Sequence, residues 1–173
     1  MKTFTAAAVS TTAFFLLAGC ARAQFTSPPA DTAVTIAGKK IAIQYHAPSM
    51  HNRKIFGGLV PFGEVWRAGA NEATALHTGA DLTIGGLNVP KGDYTLFILP
   101  SEKQWQLIVN KQTGQWGLEY HQERDLGRVP MQMNRLPNPV NTFKITLTQT
   151  GGNRGLLQME WDTTMASLPF TVK

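Results

Sequence analysis

The apolar residues of this chain come in twos. Phe143, Ile145 and Leu147 alternate with Lys144, Thr146 and Thr148, and beyond Thr150-Gly151-Gly152-Asn153 the residues Leu157, Met159 and Trp161 alternate with Gln158, Glu160 and Asp162. A period of two places one set on each face of an extended strand, with one face buried and the other solvated. Similar short runs recur from Val34 to Val172, and glycine, proline or asparagine separates them. Short strands at regular spacing, with turn residues between them, fold as antiparallel sandwiches or barrels. The expectation is an all-β chain: one antiparallel β-sandwich, jelly-roll-like, with at most one short helix.

Along the chain, Val34-Thr35-Ile36 and Ile41 to Tyr45 flank Ala37-Gly38-Lys39-Lys40 as a hairpin, and Leu82-Thr83-Ile84 and Leu87-Asn88-Val89 flank Gly85-Gly86 as a second. Glycine supplies the positive φ that such tight turns demand. Pro90-Lys91-Gly92-Asp93 turns the chain into Tyr94 to Leu99, apolar on both faces apart from Thr95 and therefore a central strand. Trp105 to Val109 follows, and Leu168, Phe170 and Val172 close the domain. The one helix candidate lies within Gln115 to Leu126, where Leu118, Gln122 and Leu126 form a weak stripe bounded by Gly117 and Gly127. Pro130 to Val140, with three prolines, reads as a long surface connection.

The N-terminus speaks to location. Lys2 precedes an apolar run from Ala6 to Leu17, and Leu17-Ala18-Gly19-Cys20 ends it. That is the layout of a secretory signal rather than of a membrane span. Cys20, the only cysteine, sits where a bacterial lipobox places the lipidated thiol. The boundaries expected are a signal peptide over residues 1–19, an anchor and spacer over 20–30 containing the stiff Ser27-Pro28-Pro29-Ala30, and a sandwich over 31–173. The alternative is ordinary cleavage after Ala21-Arg22-Ala23, a signal over 1–23 and a soluble periplasmic or secreted product. The first route gives an outer-membrane lipoprotein facing the periplasm or the surface.

Removing residues 1–19 leaves 154 residues, enough for one domain with a real core and too few for two comfortable ones. With no further cysteine, no disulfide staples the domain, so burial must hold it. The excess of 16 basic over 11 acidic residues is spread along the chain, which argues against a nucleic-acid groove. The four histidines show no metal-ligand spacing, no Gly-x-Ser-x-Gly elbow surrounds a serine, and the paired glycines lack the Lys-Ser/Thr partner of a phosphate loop. No metal site and no cofactor is expected. Of the tryptophans, Trp105 and Trp161 sit at core positions of strands, and Trp116, beside glycines, is the one expected at the surface.

Residues 45–78 break the regular pattern. The stretches Gly57 to Gly63, Trp66-Arg67-Ala68-Gly69-Ala70-Asn71-Glu72-Ala73-Thr74 and Pro90 to Phe97 resemble the bacterial exported family known as domain of unknown function 2911. Asn110-Lys111, Gly114 to Gly117 and Leu157 to Asp162 extend the resemblance over nearly all of residues 31–172. It implies an exported, mostly β domain and brings no catalytic residue with it. Such sequences usually carry Gly-Arg where this chain has Asn52-Arg53.

Within that segment Arg67, Asn71 and Glu72 offer a planar cation, an amide and a carboxylate, with Trp66 as an aromatic wall and Arg53 at the same mouth. Such a set can grip an anionic or polar ligand, with arginine bidentate to an oxyanion and tryptophan against a sugar. Arg53, Trp66, Arg67, Asn71 and Glu72 are thus the candidate ligand-binding residues, and Cys20 the lipidation site. The competing reading has Arg67 paired with Glu72 to brace a sharp loop, with Gly69 and Asn71 in left-handed conformations. Glu72 or Glu64 with His46 or His77 forms a candidate acid–base pair. The leading expectation is an envelope binding domain for a polar small molecule, glycan or protein partner; the alternatives are a cofactor-free, hydrolase-like enzyme and a purely structural component.

Overall fold

A computed structural model describes residues 27–173. Cys20, the signal segment and most of the spacer lie outside the described residues. Among the described residues ten strands run in the order β1 Pro29–Ile36, β2 Lys39–His46, β3 Thr74–Thr78, β4 Leu82–Ile84, β5 Leu87–Val89, β6 Gly92–Leu99, β7 Gln106–Asn110, β8 Asp125–Pro130, β9 Gln132–Gly151 and β10 Arg154–Val172. They form a six-stranded sheet, β1-β2-β3-β6-β7-β8, and a four-stranded sheet, β5-β4-β10-β9, with every pairing antiparallel. The molecule is an all-β sandwich.

The alternation read from the sequence sets the core. Ile41, Ile43, Leu76, Leu96, Ile98 and Leu107 of the larger sheet face Phe143, Ile145, Leu157, Met159, Trp161 and Phe170 of the smaller one, all buried in one cluster. Both predicted hairpins form, closed at Ala37-Gly38 and Gly85-Gly86. β1 starts at Pro29, so Pro29 and Ala30 belong to the sheet rather than to a spacer.

Two expectations fail for identifiable reasons. Residues 130–140 are not a surface connection: β9 runs through them to Gly151 as the outer strand of its sheet. The register steps from Val140↔Asp162 to Arg135↔Thr164, leaving Leu136 to Pro139 in an irregularity outside the pairing. Proline lacks the N–H a ladder needs, and an edge strand with a bulge is where it is tolerated. The helix expected in Gln115 to Leu126 is also absent; only a 3-10 turn, Gln122–Arg124, forms. The Ala73 N–H donates to Gln115 O and the Gly117 N–H to Asn71 O, so this backbone is committed to a neighbouring loop.

β6 is central, as read, and buried on both faces. Its outer face is covered by the 111–121 loop. Thr95 Oγ1 donates to Gln112 O at 2.8 Å, and the rings of Phe97 and Tyr120 meet edge-on at 5.0 Å. Tyr120 donates to Asp125 Oδ2 at 2.7 Å and accepts from Arg128 Nη2 at 2.7 Å, while Asn110 Nδ2 donates to both Asp125 Oδ1 and His121 O. Burial and then the bond to Asp125 push the Tyr120 hydroxyl up to about 12. This network fixes the loop that overlies the candidate site.

Candidate functional site

The 47–73 segment ties the two sheets together. Ser49 bridges Thr142 on β9 through backbone and hydroxyls, the latter 2.9 Å apart, and the Phe143 N–H donates to Pro48 O. At its other end Trp66 exchanges two backbone bonds with Ile98, while Thr74 pairs with Leu96. Trp66 and Thr74 thus lie two positions apart along one edge of β6, and residues 67–73 are thrown outward between them.

That excursion is built tightly. Thr74 Oγ1 donates to Ala68 O at 2.8 Å and Trp66 Nε1 to Gly69 O at 3.0 Å. A Cβ on Gly69 would lie 2.9 Å from His46 O, so only glycine lets the loop pass the end of β2. The left-handed positions are Ala68 (φ 50°) and Asn71 (φ 58°); Asn71 was foreseen, and Ala68 takes the role expected of Gly69. His51 (φ 47°) and Asn52 (φ 57°) are left-handed as well. Asn52 therefore adopts the geometry that glycine at this position would adopt, which asparagine tolerates better than most residues.

Four of the five candidate residues, Arg53, Trp66, Arg67 and Asn71, line one solvent-open cleft of about 280 Å³. Ser49, His51 and Trp161 add to its walls, and no carboxylate among the described residues lines it. Arg53 is held in place, its Nε donating to Met50 O at 2.9 Å and its Nη2 to Ser49 O at 2.8 Å. Trp66 is a packed wall rather than an open platform: it stacks on Trp161 at 5.8 Å and 19°, and Phe143 meets it edge-on at 5.0 Å.

Arg67 is the unusual member. Its side chain is half-buried, its Nε is buried without a hydrogen-bond partner among the described residues, and burial lowers the pKa of the guanidinium. The pairing with Glu72 does not occur. Glu72 points the other way, 60 % exposed, with Oε2 3.2 Å from His46 Nδ1. Sealing of Arg67 comes from Gly117: a Cβ there would fall on Arg67 Cδ and 2.5 Å from Asn71 O. In the sequence Gly117 bounds the weak helical stripe and belongs to the Gly114 to Gly117 stretch of the family resemblance. Nothing in the chain order indicates that it packs on Arg67, fifty positions earlier.

Glu72 and His46 line a second cleft, of about 470 Å³, on the outer face of the six-stranded sheet. An oriented histidine is half of an acid–base device, but among the described residues no serine, threonine or cysteine lines that cleft to act as a nucleophile. His77, further along the same sheet face, pairs with Asp93 at 2.6 Å, His121 pairs with Glu123 at 3.2 Å, and no described histidine lines the cleft of Glu64. The acid–base partners proposed for Glu64 and His77 are therefore not brought together. Trp105 and Trp161 are core residues and Trp116 is 45 % exposed, as read from their positions. Among the described residues no three His, Cys, Asp or Glu side chains stand close enough to hold a metal ion, and no helix is long and apolar enough to cross a membrane.

The chain belongs to the family described as Protein of unknown function (DUF2911), whose model matches residues 27–170 and so takes in both sheets and the whole cleft. No curated protein and no solved structure matches it.

Proposed function

We propose that this chain is an exported bacterial envelope domain, held at the outer membrane by a lipid on Cys20, that binds a small polar ligand through an anionic group in the Arg67 cleft. The observation that supports binding is Arg67 itself. A guanidinium is charged at any physiological pH, and burying it without a carboxylate or full hydrogen bonding costs free energy. No described carboxylate offsets that cost, and the cleft beside it carries a second arginine and, among the described residues, no acid. An oxyanion entering the cleft supplies the missing charge and acceptors. A brace would have been paired; an open, positive cleft has the character of a receptor site.

The test uses the purified full chain. The Arg67 side-chain Nε–H resonance, assigned by its loss in Arg67→Met, is followed by NMR during titration with sodium acetate at constant ionic strength set by chloride. A saturable shift is expected. A response no different from that to chloride alone would refute the reading. Arg67→Met keeps the stem beneath Gly117 and removes the charge, so its Tm is expected to stay level or rise, because an unpaired desolvated cation is gone. A marked fall would instead favour the brace. For the anchor, Cys20→Ala is expected to abolish metabolic lipid labelling and move the protein to the soluble fraction; persistent labelling would sink that half.

A further inference from the structure

Arg67 stands on a border. On one side is the polar cleft just described. On the other is a smaller cleft of about 200 Å³ that shares Leu59, Val60, Trp66 and Arg67 with it. The second cleft presents polar and apolar surface in about equal measure, adding Pro61, Val65 and Leu118 together with Glu64 and Tyr120, where the first adds Ser49, Arg53 and Asn71. Two of its side chains are left conspicuously in water, Leu118 at 75 % and Leu59 at 46 % exposure. Large apolar groups exposed around one concavity next to a buried cation mark a surface that a ligand covers.

We infer that the ligand is an amphipathic oxyanion, a small carboxylate-type acid whose head lies with Arg67 on the polar side and whose apolar tail lies between Leu59 and Leu118. This rests on the reading of the Arg67 cleft as an anion site and adds the ligand's second half. The direction of the ligand across the pair of clefts is set by Glu64, which lines the smaller cleft. Its carboxylate repels an anionic head placed there, whereas no described acid lines the larger cleft. Size sets the tail: together the clefts take a short single chain, not the paired acyl chains of a membrane lipid.

The experiment compares acetate, butanoate and hexanoate on the full-length protein, reading the Arg67 resonance and the affinity by calorimetry, with hexanamide as the neutral counterpart. Each fully buried methylene tightens binding by roughly fourfold, so hexanoate is expected to exceed acetate by on the order of tenfold or more even with partial burial. Hexanamide is expected to bind at least tenfold more weakly than hexanoate. Leu118→Ser, a change at an exposed position that leaves the core alone, is expected to lower the ratio of hexanoate to acetate affinity severalfold. Equal affinity for acetate and hexanoate, or a ratio untouched by Leu118→Ser, overturns the tail assignment while the anion site stands. Hexanamide binding as well as hexanoate overturns the head assignment. No response to any of the acids sinks the anion site as well.

Discussion

Gly117→Ala is the sharpest probe of how the site is held. A Cβ at this position would coincide with Arg67 Cδ and lie 2.5 Å from Asn71 O and 3.0 Å from Arg67 Nε. The backbone of Gly117 is not left-handed, so alanine carries no conformational strain of its own and the cost is packing alone. Either the arginine stem leaves its place or the 114–118 loop retreats, and retreat breaks the 3.1 Å bond from the Gly117 N–H to Asn71 O. Overpacking costs about 1–3 kcal/mol, and the lost bond adds about 1 kcal/mol. At about 2–4 °C per kcal/mol for a domain of this size, Tm is expected to fall by about 5–15 °C. Denaturant unfolding of Gly117→Ala, Arg67→Ala and the double variant supplies the decisive cycle. Arg67→Ala removes the Cδ that the new methyl strikes, so the double variant is expected to recover part of the loss, the clash with Asn71 O remaining. Additivity to within about 0.5 kcal/mol would show that the two residues do not meet, and the account of a glycine-sealed arginine would fall.

Other outcomes follow from the same geometry. Burial and Asp125 keep Tyr120 protonated in the fold up to about 12, whereas in the unfolded chain it ionises near the usual value of about 10. Its contribution to stability is thus complete below about pH 10 and disappears as pH climbs towards about 12. Tyr120→Phe is expected to flatten that alkaline limb of Tm against pH without abolishing it, since Tyr94 is raised in the same direction by burial and by Asp81 and Asp93; an unchanged limb would contradict the assignment. Trp161→Phe removes the 3.1 Å indole bond to Asn141 O and trims the stack on Trp66, and is expected to cost about 2–3 kcal/mol in urea unfolding. A loss below about 0.5 kcal/mol would mean that the Trp66 wall is not supported from beneath.

Much of the fold was written in the chain because burial on one face imposes a period of two on the residues that line it. Leu157, Met159 and Trp161 announce β10, and the two-sided apolar run of β6 announces a strand covered on both faces. The period could not say what covers the second face. That cover is the 111–121 loop, and its own sequence, with Leu118 in water and Gln115 buried, follows no regular repeat. The same loop was read as a weak helix because Leu118, Gln122 and Leu126 have helical spacing. Its backbone bonds go instead to Asn71 and Ala73, partners some forty positions away that no local pattern can reveal. Residues 130–140 misled in the opposite direction. Pro137 and Pro139 are strong loop signals locally, yet β9 keeps its course past them because an edge strand need not use every N–H.

The candidate site was half legible for a related reason. Unlike polar residues crowded into a break in the strand pattern pointed to the right segment, and Arg53, Trp66, Arg67 and Asn71 do share one cleft. Glu72 left the set because the left-handed turn at Asn71 redirects the chain there. Asn71 opens towards the arginines, while Glu72, held by its backbone bridge to Trp116, turns to His46. Chain proximity between Arg67 and Glu72 suggested an ion pair, and geometry denied it. The denial is what changes the meaning of Arg67. Had the carboxylate turned inward, the guanidinium would have been neutralised within the loop and the cleft would be a structural hollow. With Glu72 turned outward and Gly117 laid across the stem, the charge is left desolvated beside an opening whose described charged residues carry only its own sign.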